Sequence, residues 1–540
     1  MASQVGSNPG LTPVFEAQLA AAIGKRVSLR LRDGSTFRDL LGVLRDENSV
    51  IKRDGSISIF NPSNLAFLRV VPVFNRRDGQ SAELKLYDTQ SRQVDQIAQP
   101  QAPVKVYCCG PTVYRDAHVG NMRTFLLADL AVRALEMSGH EVTFVQNITD
   151  VGHMSESINE EDKVLKEGER QSLTALDIAA KYESLFHQDL SHLNIRPADS
   201  YPRASASMNL IIEAIVKLIS AGAAYVGSDG NVYFDSQNFE SYGAISGNKI
   251  DQLKPGHRYE YTGDGGKRFH ADWALWKLAA NRSEMVWDSP WGIGFPGWHI
   301  ECTAMSLQLL GKDIDLHVGG IDLRFPHHEN ERAQTNSIAG HEVVQHWLHG
   351  EHLLFEGKKM AKSSGNVLLV SDIIDAGFDP LALRLVLMEN RYRSQMDLTW
   401  DSLRAADLTL KRWRAALSAW GTSAEMKFDN DINSYIMNDL DLPKVLIRLR
   451  AIEKDSTIGI QDKRAIFLYA DQVLALDFDR KAEPEVAIEL PAGADNLLAA
   501  RKLARESGDW SQSDLLRDQL LEIGIEVRDS KDGQSWSLKN

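Results

Sequence analysis

Between residues 104 and 148 the chain changes its hydrophobic period twice, and that change fixes the class of fold. VKVYCC (104–109) is a short apolar strand that runs into GPTVY and HVG. Residues 121–139 then carry Met122, Phe125, Leu126, Leu130 and Leu135 at helical spacing, and EVTFVQNI (141–148) reads as a second strand. A strand, a tight glycine turn and a helix N-terminus form a cradle for a nucleotide in a doubly wound parallel sheet. The opening lacks both GxGxxG and GxxxxGK(S/T), so neither the dinucleotide fingerprint nor the P-loop applies. The sheet resumes through DIDLHVGG (313–320) and the loop around 357–366. The expected fold is therefore α/β, with a Rossmann-like catalytic domain over residues 83–395. An insertion at about 170–295 starts as helix and continues as an irregular stretch rich in Gly, Asp and aromatic residues.

A chain of 540 residues is too long for one hydrophobic core, so further domains are expected. Segments VSLRLR (27–32), GVLR (42–45), SISIF (56–60) and FLRVVPVF (67–74) alternate like short strands. They predict a small SH3-like β-barrel over residues 1–80. Residues 25–77 hold eleven Lys and Arg against five Asp and Glu, although the whole chain has a formal charge of −14. A solvated basic face and an RNA-contacting appendage both fit that local excess. After Asp397 amphipathic helices predict a bundle (396–485), and an acidic, proline-containing stretch separates a last small unit, 493–540. No apolar run reaches bilayer length and the N-terminus lacks the pattern of a secretory signal, so a cytoplasmic protein with no membrane partner is expected.

The three cysteines cannot form a disulfide framework, and they fall where metal ligands would. HHENERAQ places His327 and Glu331 at i, i+4 on one helix face. Cys302 ends PGWHIEC, and Cys108 and Cys109 are adjacent. Neighbouring side chains on a strand face opposite sides, so only one of that pair can enter the pocket. Cys109, beside Gly110, is the better ligand. Two thiolates, an imidazole and a carboxylate are ligand types of four-coordinate zinc. Such a site need not activate water; a soft metal can take a substrate thiolate, which serine or alanine cannot imitate.

CGPTVY (109–114), HVGN (118–121), NITDV (147–151), GWHIEC (297–302), FPHHENE (325–331) and KMAKSSGN (359–366) occur in one order, and DWSQSDLLRDQL lies near the end. Over residues 83–540 the chain thereby resembles the bacterial-type cysteinyl-tRNA synthetases, a family of class I aminoacyl-tRNA synthetases. The resemblance implies activation of L-cysteine by ATP with Mg²⁺, and transfer to the terminal ribose of tRNA-Cys by a monomer carrying one zinc. It places the zinc ligands at Cys109, Cys302, His327 and Glu331. It assigns ATP contacts to His118, Gly120, Asn121, Lys359 and Lys362, with His118, Asn121 and both lysines stabilising the charge that grows on the phosphates. Cys109, Thr112, Trp298 and Asp322 are implied for the amino-acid pocket. Trp536 lies where the family stacks an aromatic on the anticodon.

Three departures stand out. Asn121 replaces the last histidine of the usual HIGH signature, Ala361 replaces the serine of KMSKS, and VGHM after NITD lacks an acidic pair common in the family. None removes a zinc ligand or a phosphate-binding cation. The nearest rival is a cysteine ligase of the mycothiol pathway, which joins cysteine to an amino sugar and needs no anticodon-reading end. A non-catalytic RNA-binding paralogue is the other.

Overall fold

The structure, a computed structural model, describes residues 19–33, 36–52, 56–70, 83–97, 103–151, 163–253, 266–280, 282–360, 366–480, 493–530 and 533–538. The chain divides into two compact units, residues 1–479 and 480–540.

The first unit opens with five antiparallel strands, β1 (Arg26–Asp33), β2 (Thr36–Asp46), β3 (Ser49–Ile51), β4 (Ile57–Ile59) and β5 (Leu65–Val70). Their order is β4-β3-β2-β1-β5. Period-two alternation sends Val27, Leu29, Leu31, Leu44 and Val50 into one small core, closed by Leu19 and Phe60. The expected SH3-like barrel is not confirmed: β4 and β5 are the two ends of this sheet and do not pair with each other among the described residues.

A hairpin, β6 (Lys85–Tyr87) and β7 (Val94–Gln96), leads into β8 (Val104–Cys108) and β9 (Val142–Gln146). The insertion supplies β10 (Ala224–Val226), β11 (Val232–Phe234), β12 (Trp273–Leu278) and β13 (Gly294–Pro296), after which β14 (Leu316–Gly320) and β15 (Trp347–Gly350) return to the main sheet. That sheet has the order β15-β14-β8-β9 and every pair in it is parallel. The strand-turn-helix reading of 104–148 is what the chain forms, with helix α1 (Val119–Met137) between β8 and β9. Apolar residues surround α1 almost completely, as suits a helix packed on a sheet and covered again from outside.

Helices α2 (Lys163–Gln171) and α3 (Ala175–His192) join this main core, where Phe186 meets Phe125 edge-on at 5.1 Å. Helix α4 (Met208–Ser220) and the antiparallel sheet β10–β13 form a second core around Ile211, Ile215, Phe234, Leu275 and Trp276. The stretch read as irregular from sequence is thus partly a sheet. Helices α5 (Trp298–Leu310) and α6 (Glu329–Ala339) then flank the return to the parallel strands.

Strands β16 (Leu353–Phe355), β17 (Lys358–Lys359) and β18 (Met396–Leu398) make a small sheet before the helical region. That region contains α7 (Val370–Asp375), α8 (Pro380–Leu387), α9 (Trp400–Ala419), α10 (Asn430–Met437), α11 (Leu442–Lys454) and α12 (Ile460–Leu474). A buried charge network locks it to α1. Asp129 accepts from Arg133 Nε at 2.9 Å and from Arg384 Nη2 at 2.7 Å. Burial alone would raise its carboxyl pKa, but the two guanidiniums hold it down to about 2. Arg384 also donates to the carbonyls of Leu193, Asn194, Val473 and Leu474. At the other end of α1, Glu136 pairs with Arg26 of β1 at 3.2 Å, which ties the N-terminal sheet to this unit.

The second unit holds α13 (Ala494–Glu506), α14 (Trp510–Glu522) and the terminal hairpin of β19 (Ile525–Ser530) and β20 (Gly533–Leu538). Its core is built by Ala494, Leu498, Leu520, Ile525 and Val527. Among the described residues, no helix is long and apolar enough to cross a membrane.

Candidate metal centre and nucleotide site

Strand β8 delivers its last side chains to opposite sides. Cys108 turns towards Gln146, whose Nε2 lies 3.7 Å from its sulfur, and burial pushes that thiol up. Cys109 enters a pocket shared with Cys302 from the second turn of α5 and with His327 and Glu331 from the start of α6. One ligand atom from each of these four lies within 4.8 Å of all the others, and all four residues are buried. Glu329, two residues before Glu331, accepts from the backbone N–H groups of Ile245 and Ser246 and so fixes the start of α6 to the insertion.

The donor set suits a metal ion. Burial pushes the Cys109 thiol and the Glu331 carboxyl up, whereas the hydrogen bond from Cys109 brings Cys302 down to about 7. Two sulfurs and a carboxylate crowded into an apolar pocket therefore share protons where a cation would relieve them. Glu331 Oε2 has no hydrogen-bond partner. The 3.4 Å between Cys109 Sγ and Glu331 Oε1 matches the edge, about 3.3–3.8 Å, of a tetrahedron with zinc-ligand bonds. His327 Nδ1 faces His299 Nδ1 at 2.8 Å, which leaves Nε2 directed at Glu331.

Three further histidines lie beneath this pocket, and sequence reasoning did not single them out. His317 and His328 each bring Nε2 to 3.4 Å from Cys109 Sγ, and they form with Cys109 and Glu331 a second, overlapping donor set. His328 Nδ1 meets His349 Nε2 at 2.8 Å, and His349 Nδ1 meets Thr89 Oγ1 at 2.8 Å. Burial holds all three below the ordinary histidine range, so they are neutral. Gly319 allows this approach, because a Cβ there would lie 2.3 Å from the His328 ring. The second histidine of FPHHEN was the available signal.

The loop after Cys109 is laced to NITD. Asn147 Oδ1 accepts from Gly110 N–H at 2.9 Å, and Thr112 pairs with Thr149 across a parallel bridge. At the end of that loop His118 caps α1. Its Nδ1 accepts from Asn121 N–H at 3.2 Å, and Asn121 Oδ1 accepts in return from His118 N–H at 3.1 Å. Asn121 thus closes a reciprocal cap. Because Nδ1 is an acceptor, the neutral ring carries its proton on Nε2, and burial holds it neutral further into acid than an ordinary histidine.

The two signature motifs adjoin. A Cβ at Gly120 would lie 2.9 Å from His118 Nδ1 and 3.1 Å from Met360 Cε, so this glycine is what lets the KMAKS methionine sit over the cap. Val119 N–H also donates to Leu368 O at 2.9 Å. Lys359 is exposed on β17, whereas Lys362 lies outside the described residues. Asp322 is exposed, and its carboxylate acts on His118, supporting the protonated ring. Trp298 packs its ring 4.3 Å from His327. In the second unit the Trp536 backbone pairs with Val527, but its side chain lies outside the described set. There Trp510, in the DWSQSDLLRDQL segment, is 60% exposed, and the Arg505 guanidinium stands 5.4 Å from its ring centre.

Two family models match this chain. The class I (C) tRNA synthetase catalytic domain covers residues 95–407, and the cysteinyl-tRNA ligase anticodon binding domain covers 488–536; neither reaches residues 1–94. A cysteine–tRNA ligase of Thermus thermophilus is 38% identical over 483 residues, 84% of this chain and 99% of that protein. Those of Chlamydia caviae and Salinibacter ruber are each 36% identical, covering 84% and 85% of this chain and 98% and 99% of their own. A solved ternary complex of Agrobacterium radiobacter LeuRS with tRNA and LeuAMS superposes with a TM-score of 0.52 at 8% identity, over 70% of this chain and 84% of that one, which shows the shared fold alone. With its catalytic and anticodon-binding domains both matched and relatives covered almost end to end, the chain belongs to the cysteine–tRNA ligases of the class I aminoacyl-tRNA synthetases.

Proposed function

We propose that this chain activates L-cysteine with ATP and passes it to the terminal ribose of tRNA-Cys, acting as a cytoplasmic monomer. The observation that supports it most is the gathering of two thiols, an imidazole and a carboxylate at the end of β8, one loop before the capped N-terminus of α1. Cys109, Cys302, His327 and Glu331 would hold one zinc ion. That ion, when bound, supplies a soft Lewis acid for the substrate thiolate.

The protein's own groups orient the rest. Trp298 walls the pocket against His327, Thr112 lies on the loop beyond Cys109, and Asp322 offers a carboxylate to the substrate ammonium. The His118 Nε2–H, the Asn121 amide and the two lysines 359 and 362 are donors towards ATP, and Mg²⁺ accompanies the nucleotide. Attack by the cysteine carboxylate on the α-phosphorus puts charge on the phosphoryl oxygens and on departing pyrophosphate. Fixed donors stabilise that charge without a dedicated base.

The test is direct. Cysteine should drive ATP–pyrophosphate exchange and serine should not, and labelled cysteine should move to tRNA-Cys but not to an amino sugar. Transfer to the amino sugar alone would overturn the assignment of the acceptor. The exchange rate should hold through the ordinary histidine range, about pH 6.5, and fall only at more acid pH, since His118 is protonated late.

Gly120→Ala tests the contact between the motifs. The added methyl meets the His118 ring and Met360, and overpacking of this kind costs about 1–3 kcal/mol. Adenylation should slow by about 5- to 150-fold while circular dichroism stays unchanged. An unaltered rate would mean that the two motifs need not touch.

A further inference from the structure

Tyr107 is a buried phenol that none of the roles above uses. It precedes Cys109 by two positions on β8, so it faces the same side of the sheet, and none of its surface is exposed. Its backbone lies in register with His317, and its ring stands 5.0 Å from the His317 ring. The hydroxyl completes no hydrogen bond, which is uncommon for a fully buried polar atom. The groups that bear on it are Cys302 foremost, then Cys109 and Glu331, three of the four residues that gather the metal donors. Burial keeps the phenol protonated, so it can act only as a donor or remain unsatisfied.

A thiol is a poor acceptor and a thiolate a good one. The orphaned hydroxyl therefore gains its partner when Cys302 ionises on binding a metal. We propose that Tyr107 is a positioning residue of the metal centre, whose hydroxyl donates to the Cys302 sulfur. The bond draws charge from that ligand, so the ion gives up less of its Lewis acidity to the protein and keeps more for the substrate thiol. The idea rests on the ligand set proposed above. It adds to that set a residue that touches neither substrate nor metal.

The experiment uses the full-length protein loaded with Co²⁺ in place of zinc, whose thiolate-to-metal charge-transfer band reports the electron richness of the sulfurs. Tyr107→Phe keeps the ring and its packing and removes only the hydroxyl. The band should then move to longer wavelength, because an unrestrained thiolate is a stronger electron donor. In the zinc form the KM for cysteine in pyrophosphate exchange should rise by about tenfold, with kcat within twofold. A 3-fluorotyrosine placed at position 107 is a stronger donor, so it should move the band to shorter wavelength. This second variant also covers the case in which Tyr107→Phe folds poorly. An unchanged band in both proteins would overturn the role of Tyr107 and leave the ligand assignment standing. Absence of any thiolate band in the parent protein would overturn both.

Discussion

Cys302→Ser is expected to empty the metal centre and to depress cysteine activation by at least about a thousandfold. The serine hydroxyl would stay protonated where Cys302 ionises readily, its thiol being down to about 7. That change removes one of two sulfurs and leaves Cys109, His327 and Glu331 to hold the ion at three points. A site that recognises its substrate through one particular bond rejects analogues by about 10⁴–10⁵-fold, and losing the metal forfeits that bond altogether. Zinc content of the purified variant and cysteine-dependent exchange are the two measurements. Cys108→Ala should keep its zinc, since that sulfur faces Gln146 across the sheet. Full zinc in Cys302→Ser, with loss in His328→Ala, would move the ion to the overlapping set of Cys109, His317, His328 and Glu331.

Removing residues 493–540 should lower kcat/KM for transfer to tRNA-Cys by about a hundredfold or more and leave pyrophosphate exchange intact. This stretch has a core of its own, and all but its last four residues fall within the matched anticodon-binding domain. Stacking of a base on an aromatic is worth about 1–3 kcal/mol, so a single platform accounts for about 5- to 150-fold. Trp510 and Trp536 are the two tryptophans of the unit. Trp510→Ala and Trp536→Ala, measured separately by tRNA charging, divide the effect between the exposed helix start and the terminal hairpin. Equal loss of exchange and transfer on deletion would mean that the unit supports the catalytic body instead of reading RNA.

The parts of this molecule that sequence exposes best are those where few residue types can serve. Three cysteines leave little choice for a soft metal, and a strand ending in Cys109-Gly110 can send only one of two adjacent thiols inward. The capped helix at HVGN was legible as a strand-turn-helix, but the reciprocal bonds that suit Asn121 to its place were not, because they depend on rotamers. His317, His328 and His349 escaped notice because a histidine on a buried strand looks like core until its neighbours are known. In the insertion, β10, β11 and β13 are three residues each, too short for alternation to register. The N-terminal strands were legible from their alternation. Closure of that sheet is a long-range pairing of its ends, on which local pattern is silent. Exposure of Trp510 is likewise a property of the folded surface.

The Asp129 network sets a rule for anyone recombining this protein with a relative. Arg384 of α8 gives its guanidinium to a carboxylate in α1 and to carbonyls at the ends of α3 and α12, so four stretches of chain meet on one side chain. A chimera spliced anywhere between the parallel sheet and the helical region cuts across that junction. Such a graft must carry Asp129, Arg133 and Arg384 from one parent, together with the backbone turns at 193–194 and 473–474. A seam that separates them leaves a charge stranded in the interior, however well the two surfaces match.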